Sequence, residues 1–153
     1  SAIWCWNRRK AEKVRPSAWP REGEGSMTAL EELQRAFDEF ERIQSDITVI
    51  GSQPVEGWQR RLVEQRRTLQ ANIVRLREAG AACDGTGTGG EALAEYQQAL
   101  SAMRTAMALH QAQWPAVTID QESADYQRSQ FAVRKATGHF RTVAKQLITH
   151  LKS

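Results

Sequence analysis

"LAEYQQALSAMRTAMALHQAQW", residues 93–114, decides the fold class. Leu93, Tyr96, Leu100, Met103, Met107, His110 and Trp114 follow one another in alternating steps of three and four. A helix completes a turn in 3.6 residues, so that spacing returns every one of these side chains to one face. Ala, Leu, Met and Gln fill the positions between, and all are good helix formers. Pro115 cannot continue the ladder and ends the segment. The predicted helix spans Glu91 to Gln113.

The same period recurs on both sides. Upstream, Thr28-Ala29-Leu30-Glu31 is a capping-box pattern, in which a hydroxyl and a carboxylate satisfy free N–H groups of a first turn. Leu30, Leu33, Phe37, Phe40, Ile47 and Ile50 then share a stripe with Ile43 beside it, predicting a helix over Thr28 to Ile50 with Gly51 as its stop. Pro54 suits a first helical turn. Val55, Trp58, Leu62, Leu69, Ile73 and Leu76 predict a second helix from there to Ala79-Gly80. "GAACDGTGTGG", residues 80–90, reads as a turn-rich linker. Downstream, Tyr126, Val133, Phe140 and Leu147 repeat every seven residues, with Thr137, Ala144 and Leu151 alongside. Phe131, Val143 and Ile148 are expected to widen this face, on a helix from about Asp120 to Lys152. Gly138 weakens it by about 1 kcal/mol relative to Ala unless a close packing contact requires it.

Four helices with short connections predict an all-α fold, an antiparallel four-helix bundle running up-down-up-down. The bundle domain is assigned to residues 27–153, preceded by an N-terminal Trp/Arg-rich arm over residues 1–26. A chain of 153 residues with 41% hydrophobic and 25% charged residues suits one such domain. The a/d seams are equally compatible with a homodimer.

Charge divides at the same boundary. The net charge is +3, and residues 1–26 carry all of it: Arg8, Arg9, Lys10, Lys13, Arg15 and Arg21 against Glu12, Glu22 and Glu24. The bundle residues balance, so no global field would collect nucleic acid. Within the bundle the first helix is acidic, while the second, with Arg60, Arg61, Arg66, Arg67, Arg75 and Arg77, is basic.

Catalytic chemistry is hard to find. His110 sits on an apolar stripe as a core-edge imidazole. His139 and His150, eleven residues apart, share a face but cannot share a metal ion. The paired Glu-x-x-His motifs of a di-iron bundle do not occur. Cys83 has no evident base beside it. "GTGTGG" follows a helix and precedes Glu91, where a phosphate loop wants a preceding strand and a cation. No catalytic residue, metal or cofactor is expected, and with two cysteines a reducing compartment is. No apolar run approaches the ~20 residues of a membrane span, and the start has no signal-peptide layout.

The arm is the unusual part. "AIWCWNRRKAEKVRPSAWPREGEGSM", residues 2–27, sets Trp4, Trp6 and Trp19 around Arg8-Arg9-Lys10. Trp4 and Trp6 would point the same way in an extended chain. Three readings stand. One is a membrane-proximal cytosolic segment, because Trp favours the headgroup zone and Lys/Arg the cytoplasmic side. A second is a bound or fused peptide, with Gly25-Ser26 before Met27 resembling an engineered junction. A third is an arm packed on the bundle for stability, or a disordered tail.

The expected function is a non-enzymatic adaptor, chaperone-like or scaffolding, that binds a Trp/Arg-rich segment, its own arm or a membrane-protein tail. Ile3, Trp4, Trp6, Arg8, Arg9, Lys10 and Trp19 would be the bound residues. Glu32, Asp38, Glu39 and Asp46 of the acidic helix would receive them, beside an apolar groove involving that helix. The alternative is nucleic-acid binding through the arm and the stripe Arg60, Arg61, Arg66 and Arg67, although no helix-turn-helix or zinc-finger spacing supports it. The expected location is cytoplasmic, including the inner face of a membrane.

Overall fold

The computed structural model describes residues 27–83, 88–119 and 123–153. The Trp/Arg-rich arm, with Ile3, Trp4, Trp6, Arg8, Arg9, Lys10 and Trp19, lies outside the described residues. The described chain is all-helical: α1 (Ala29–Ser52), α2 (Trp58–Ala81), α3 (Thr88–Gln113), a 3-10 turn (Ala116–Thr118) and α4 (Ala124–Lys152). Among the described residues there is no strand.

One hydrophobic core takes residues from all four helices. Its centre is aromatic. Phe40 of α1 meets Phe140 of α4 edge-on, with ring centroids 5.3 Å apart. Tyr96 of α3 lies 5.4 Å from the same Phe140 ring. Such pairs add roughly 0.5–1.5 kcal/mol beyond the area they bury. The Tyr96 hydroxyl donates to the Leu76 carbonyl of α2 at 2.7 Å, so one side chain links three helices. Burial, and then the nearby Cys83, push its phenol well above the ordinary range. A smaller cluster of Ile50, Leu62 and Ala116 closes the other end, with Trp58 packed against it.

The helices associate chiefly as two pairs, α1 with α2 and α3 with α4. Asn72 joins the first pair, its Nδ2 donating to the Ala36 carbonyl at 3.0 Å within the core. Arg75 pairs with Glu39 beside it, and Arg141 of α4 pairs with Glu41 of α1.

Several boundaries differ from those read in the sequence. Thr28 does cap α1, its Oγ1 accepting from the Glu31 N–H at 3.1 Å. The helix nevertheless runs through Gly51 to Ser52. A glycine stop needs a left-handed backbone, and among the described residues only Gly57 has one, at φ 81°. Gly57 is also why α2 starts at Trp58 and not at Pro54. It caps the helix in that conformation, after a turn in which the Trp58 N–H reaches the Val55 carbonyl. Val55, assigned to the core stripe, is 55% exposed in consequence. α2 continues to Ala81, into the stretch read as linker, and α3 begins at Thr88 instead of Glu91. α4 begins at Ala124, later than Asp120, because Ser123 supplies its cap. Phe131, expected to widen the core face, is 69% exposed. It precedes Val133 by two residues, which places it about 200° around the helix from that position.

Candidate functional site

Where the ends of the four helices meet, a cleft of about 560 Å³ opens beside the core. α1 contributes Ile47 and Ile50, α2 Trp58, Leu62, Arg66 and Leu69, α3 Met107 and His110, and α4 Tyr126, Phe131, Val133 and Arg134. Polar groups share the lining with the apolar and aromatic ones, among them Gln44, Thr48, Gln111 and Gln130 beside the two arginines.

Arg66, His110 and Tyr126 arise at apolar register positions. Arg66 lies between Leu62 and Leu69 on the stripe of α2, four residues after one and three before the other. That register turns its guanidinium inward, where Nη1 donates to the Trp114 carbonyl at 3.0 Å, just past the end of α3. The contact suits the negative end of a helix. His110 closes the stripe of α3, and its Nδ1 stands 2.7 Å from Ser129 Oγ of α4. Tyr126 opens the heptad of α4, with its ring 5.4 Å from His110 and edge-on to Trp114 at 5.3 Å.

Burial sets the electrostatics. It lowers the pKa of Arg66, with Tyr126 opposing. It lowers that of His110, and the Arg66 charge pushes in the same direction, so the imidazole is neutral near pH 7. It raises that of Tyr126, against the pull of Arg66 and Arg134. Among the described residues, two guanidinium groups and no carboxylate line the cleft.

His110 and Ser129 have the spacing of a base and a nucleophile. The surroundings oppose that use. A general base must become an imidazolium, and both burial and Arg66 disfavour the charged ring. Among the described residues no carboxylate lines the cleft to orient the ring as a triad would. The pair therefore joins α3 to α4. Cys83 is also poorly suited to attack. It is buried, its thiol donates to the Ala79 carbonyl at 3.3 Å, and burial raises its pKa. Among the described residues no group of three or more His, Cys, Asp or Glu is placed to hold a metal ion.

A second groove, about 670 Å³, lies between α2 and α3. Leu69, Ile73, Leu100 and Met107 form its floor, and Arg77 and Arg104 stand in its lining, with no carboxylate among the described residues there.

The acidic residues proposed to receive a basic segment are spread along α1. Glu32 and Asp46 are exposed and make no ion pair among the described residues. Asp38 accepts from Gln34 Nε2 at 3.0 Å. Glu39 is engaged within the bundle by Arg75 and Asn72. The anticipated arginine stripe divides. Arg60 pairs with Glu64 on its own helix, Arg61 and Arg67 are exposed, and Arg66 turns into the cleft. The four-helix cleft borders α1 at Ile47 and Ile50.

Sequence reasoning missed Ser129, Arg134 and Trp58 as cleft residues. A signal for the cleft was present: Arg66, His110 and Tyr126 are polar residues at core positions of three different helices. No described helix is long and apolar enough to cross a membrane. No family model, curated protein or solved structure matches the chain.

Proposed function

We propose that the chain is a non-enzymatic helical adaptor that holds a Trp/Arg-rich segment against the outer face of α1. The segment is the arm over residues 1–26, or a membrane-protein tail of like composition, which would place the protein in the cytoplasm at the inner face of a membrane. The observation that carries this reading is the division of charge. The arm has the whole positive excess of the chain, while α1 presents Glu32 and Asp46 outward without an ion-pair partner among the described residues. Val49, 56% exposed and three residues beyond Asp46, offers an apolar neighbour for an indole. Both cavities are lined by arginines, so charge directs a basic segment to this face and away from them.

The same reading takes the four helices to run up-down-up-down. Residue pairs support that course. Asn72 meets Ala36 while Leu62 clusters with Ile50. Tyr96 reaches Leu76 while Arg66 reaches Trp114. Tyr96 packs on Phe140 while Trp114 packs on Tyr126. In each case one number rises as the other falls.

The test compares backbone amide NMR spectra of the full chain with those of a Trp4→Ala/Trp6→Ala variant. Shifts clustering along α1 around Glu32, Asp46 and Val49, and reversed by added salt, are expected. Shifts confined to residues 1–26 would sink the proposal.

A further inference from the structure

The four-helix cleft has a property that packing alone does not call for. Arg66 is partly buried in it, and among the described residues its guanidinium donates to the Trp114 carbonyl and pairs with no carboxylate. An arginine carries five N–H donors and cannot shed its charge to ease burial. A buried charge ordinarily finds a partner of opposite sign, yet among the described residues none that lines the cleft is acidic. Arg134 faces the same space from α4 and makes no ion pair among the described residues. His110, held neutral, does not add a competing cation. Around these cations stand the Trp58 and Tyr126 rings, with Phe131 exposed at the edge and Leu62 and Met107 beneath.

We propose that this cleft binds a small amphipathic organic anion, an aromatic or acyl carboxylate. The apolar body lies against Leu62, Met107 and the aromatic groups, and the carboxylate lies between Arg66 and Arg134. A carboxylate suits the guanidinium fork in both shape and charge. The apolar part is required as well, because a bare ion would leave the aromatic lining wet. The inference does not depend on the α1 face or on the arm. The α2–α3 groove lacks the feature that argues for a ligand, since both its arginines are exposed.

The probe is 2-naphthoate, compared with its uncharged isostere 2-naphthamide, titrated calorimetrically into the full chain. Saturable one-to-one binding of naphthoate is expected, with the amide weaker by about fivefold or more. Arg134→Gln should weaken naphthoate by a similar factor and leave the amide unchanged. Arg104→Gln, in the other groove, should change neither. Both arginines are exposed, so neither variant threatens the fold. Equal binding of acid and amide would overturn the proposal. So would sensitivity to Arg104→Gln in place of Arg134→Gln, or no saturable binding of naphthoate up to about 1 mM.

Discussion

Two helical glycines with opposite surroundings show how local space decides the effect of one methyl group. Gly80, in the last turn of α2, lies against Tyr96, where an added Cβ would fall 2.5 Å from ring carbon Cε1. The ring is held by its hydroxyl bond to Leu76 and by Phe140, so it has little room to yield. Gly80→Ala should therefore destabilise the protein by about 1–3 kcal/mol, the usual cost of overpacking a core. Gly138 is the reverse. A Cβ there meets nothing within 4 Å, and the residue lies well inside α4. Gly138→Ala should stabilise by about 1 kcal/mol through helix propensity. Urea unfolding of the two variants checks both signs. A neutral Gly80→Ala would mean that Tyr96 moves freely, and a destabilising Gly138→Ala would mean that α4 bends there.

At the scale of the element, capping is the clearest link from sequence to helix. The Thr28 hydroxyl satisfies an N–H that would otherwise be orphaned, and Glu31 and Glu32 place negative charge in the same first turn. Thr28→Ala should cost about 1 kcal/mol in urea unfolding, while Thr28→Asp should cost almost nothing. If both substitutions were neutral, the start of α1 would be fraying, not capped. The helical stripes were legible because buried positions recur at a fixed period. The core residues Leu33, Phe40, Tyr96, Met103, Phe140 and Leu147 all lie on stripes visible in the chain. The ends were less legible, because a single dihedral decides them. Gly51 and Gly57 are the same residue type, yet the first continues a helix and the second, at φ 81°, starts one. Phe131 misled because residue type was weighed above angular position. The cleft was legible only in parts. Arg66, His110 and Tyr126 each bring a polar group to a core register position, but their meeting depends on how three helices align along their length. Periodicity within one helix carries no information about that alignment.

At the scale of the whole molecule, the cleft joins residues of all four helices, and its buried histidine should make the fold sensitive to acid. His110 lies among Arg66 of α2, Tyr126 and Ser129 of α4, and its own helix. In the unfolded chain it titrates near 6.5. In the folded protein burial, and then Arg66, lower that pKa. Between the two values the unfolded state binds more protons than the native one, so stability rises with pH through that interval. Read downward, stability is lost as pH falls below about 6.5, and the loss levels off once pH passes below the folded value. Unfolding free energy measured by urea at a series of pH values should show this slope in the natural sequence. His110→Gln should flatten it, since the amide can still reach Ser129 but does not titrate. A slope unchanged by His110→Gln would mean that the ring accepts its proton without leaving the fold, and that the cleft is open enough to solvate an imidazolium beside Arg66. Ligand binding would connect to the same measurement. A carboxylate between Arg66 and Arg134 would oppose the field that disfavours the charged ring, so saturating 2-naphthoate should raise the native pKa of His110 and reduce the acid loss.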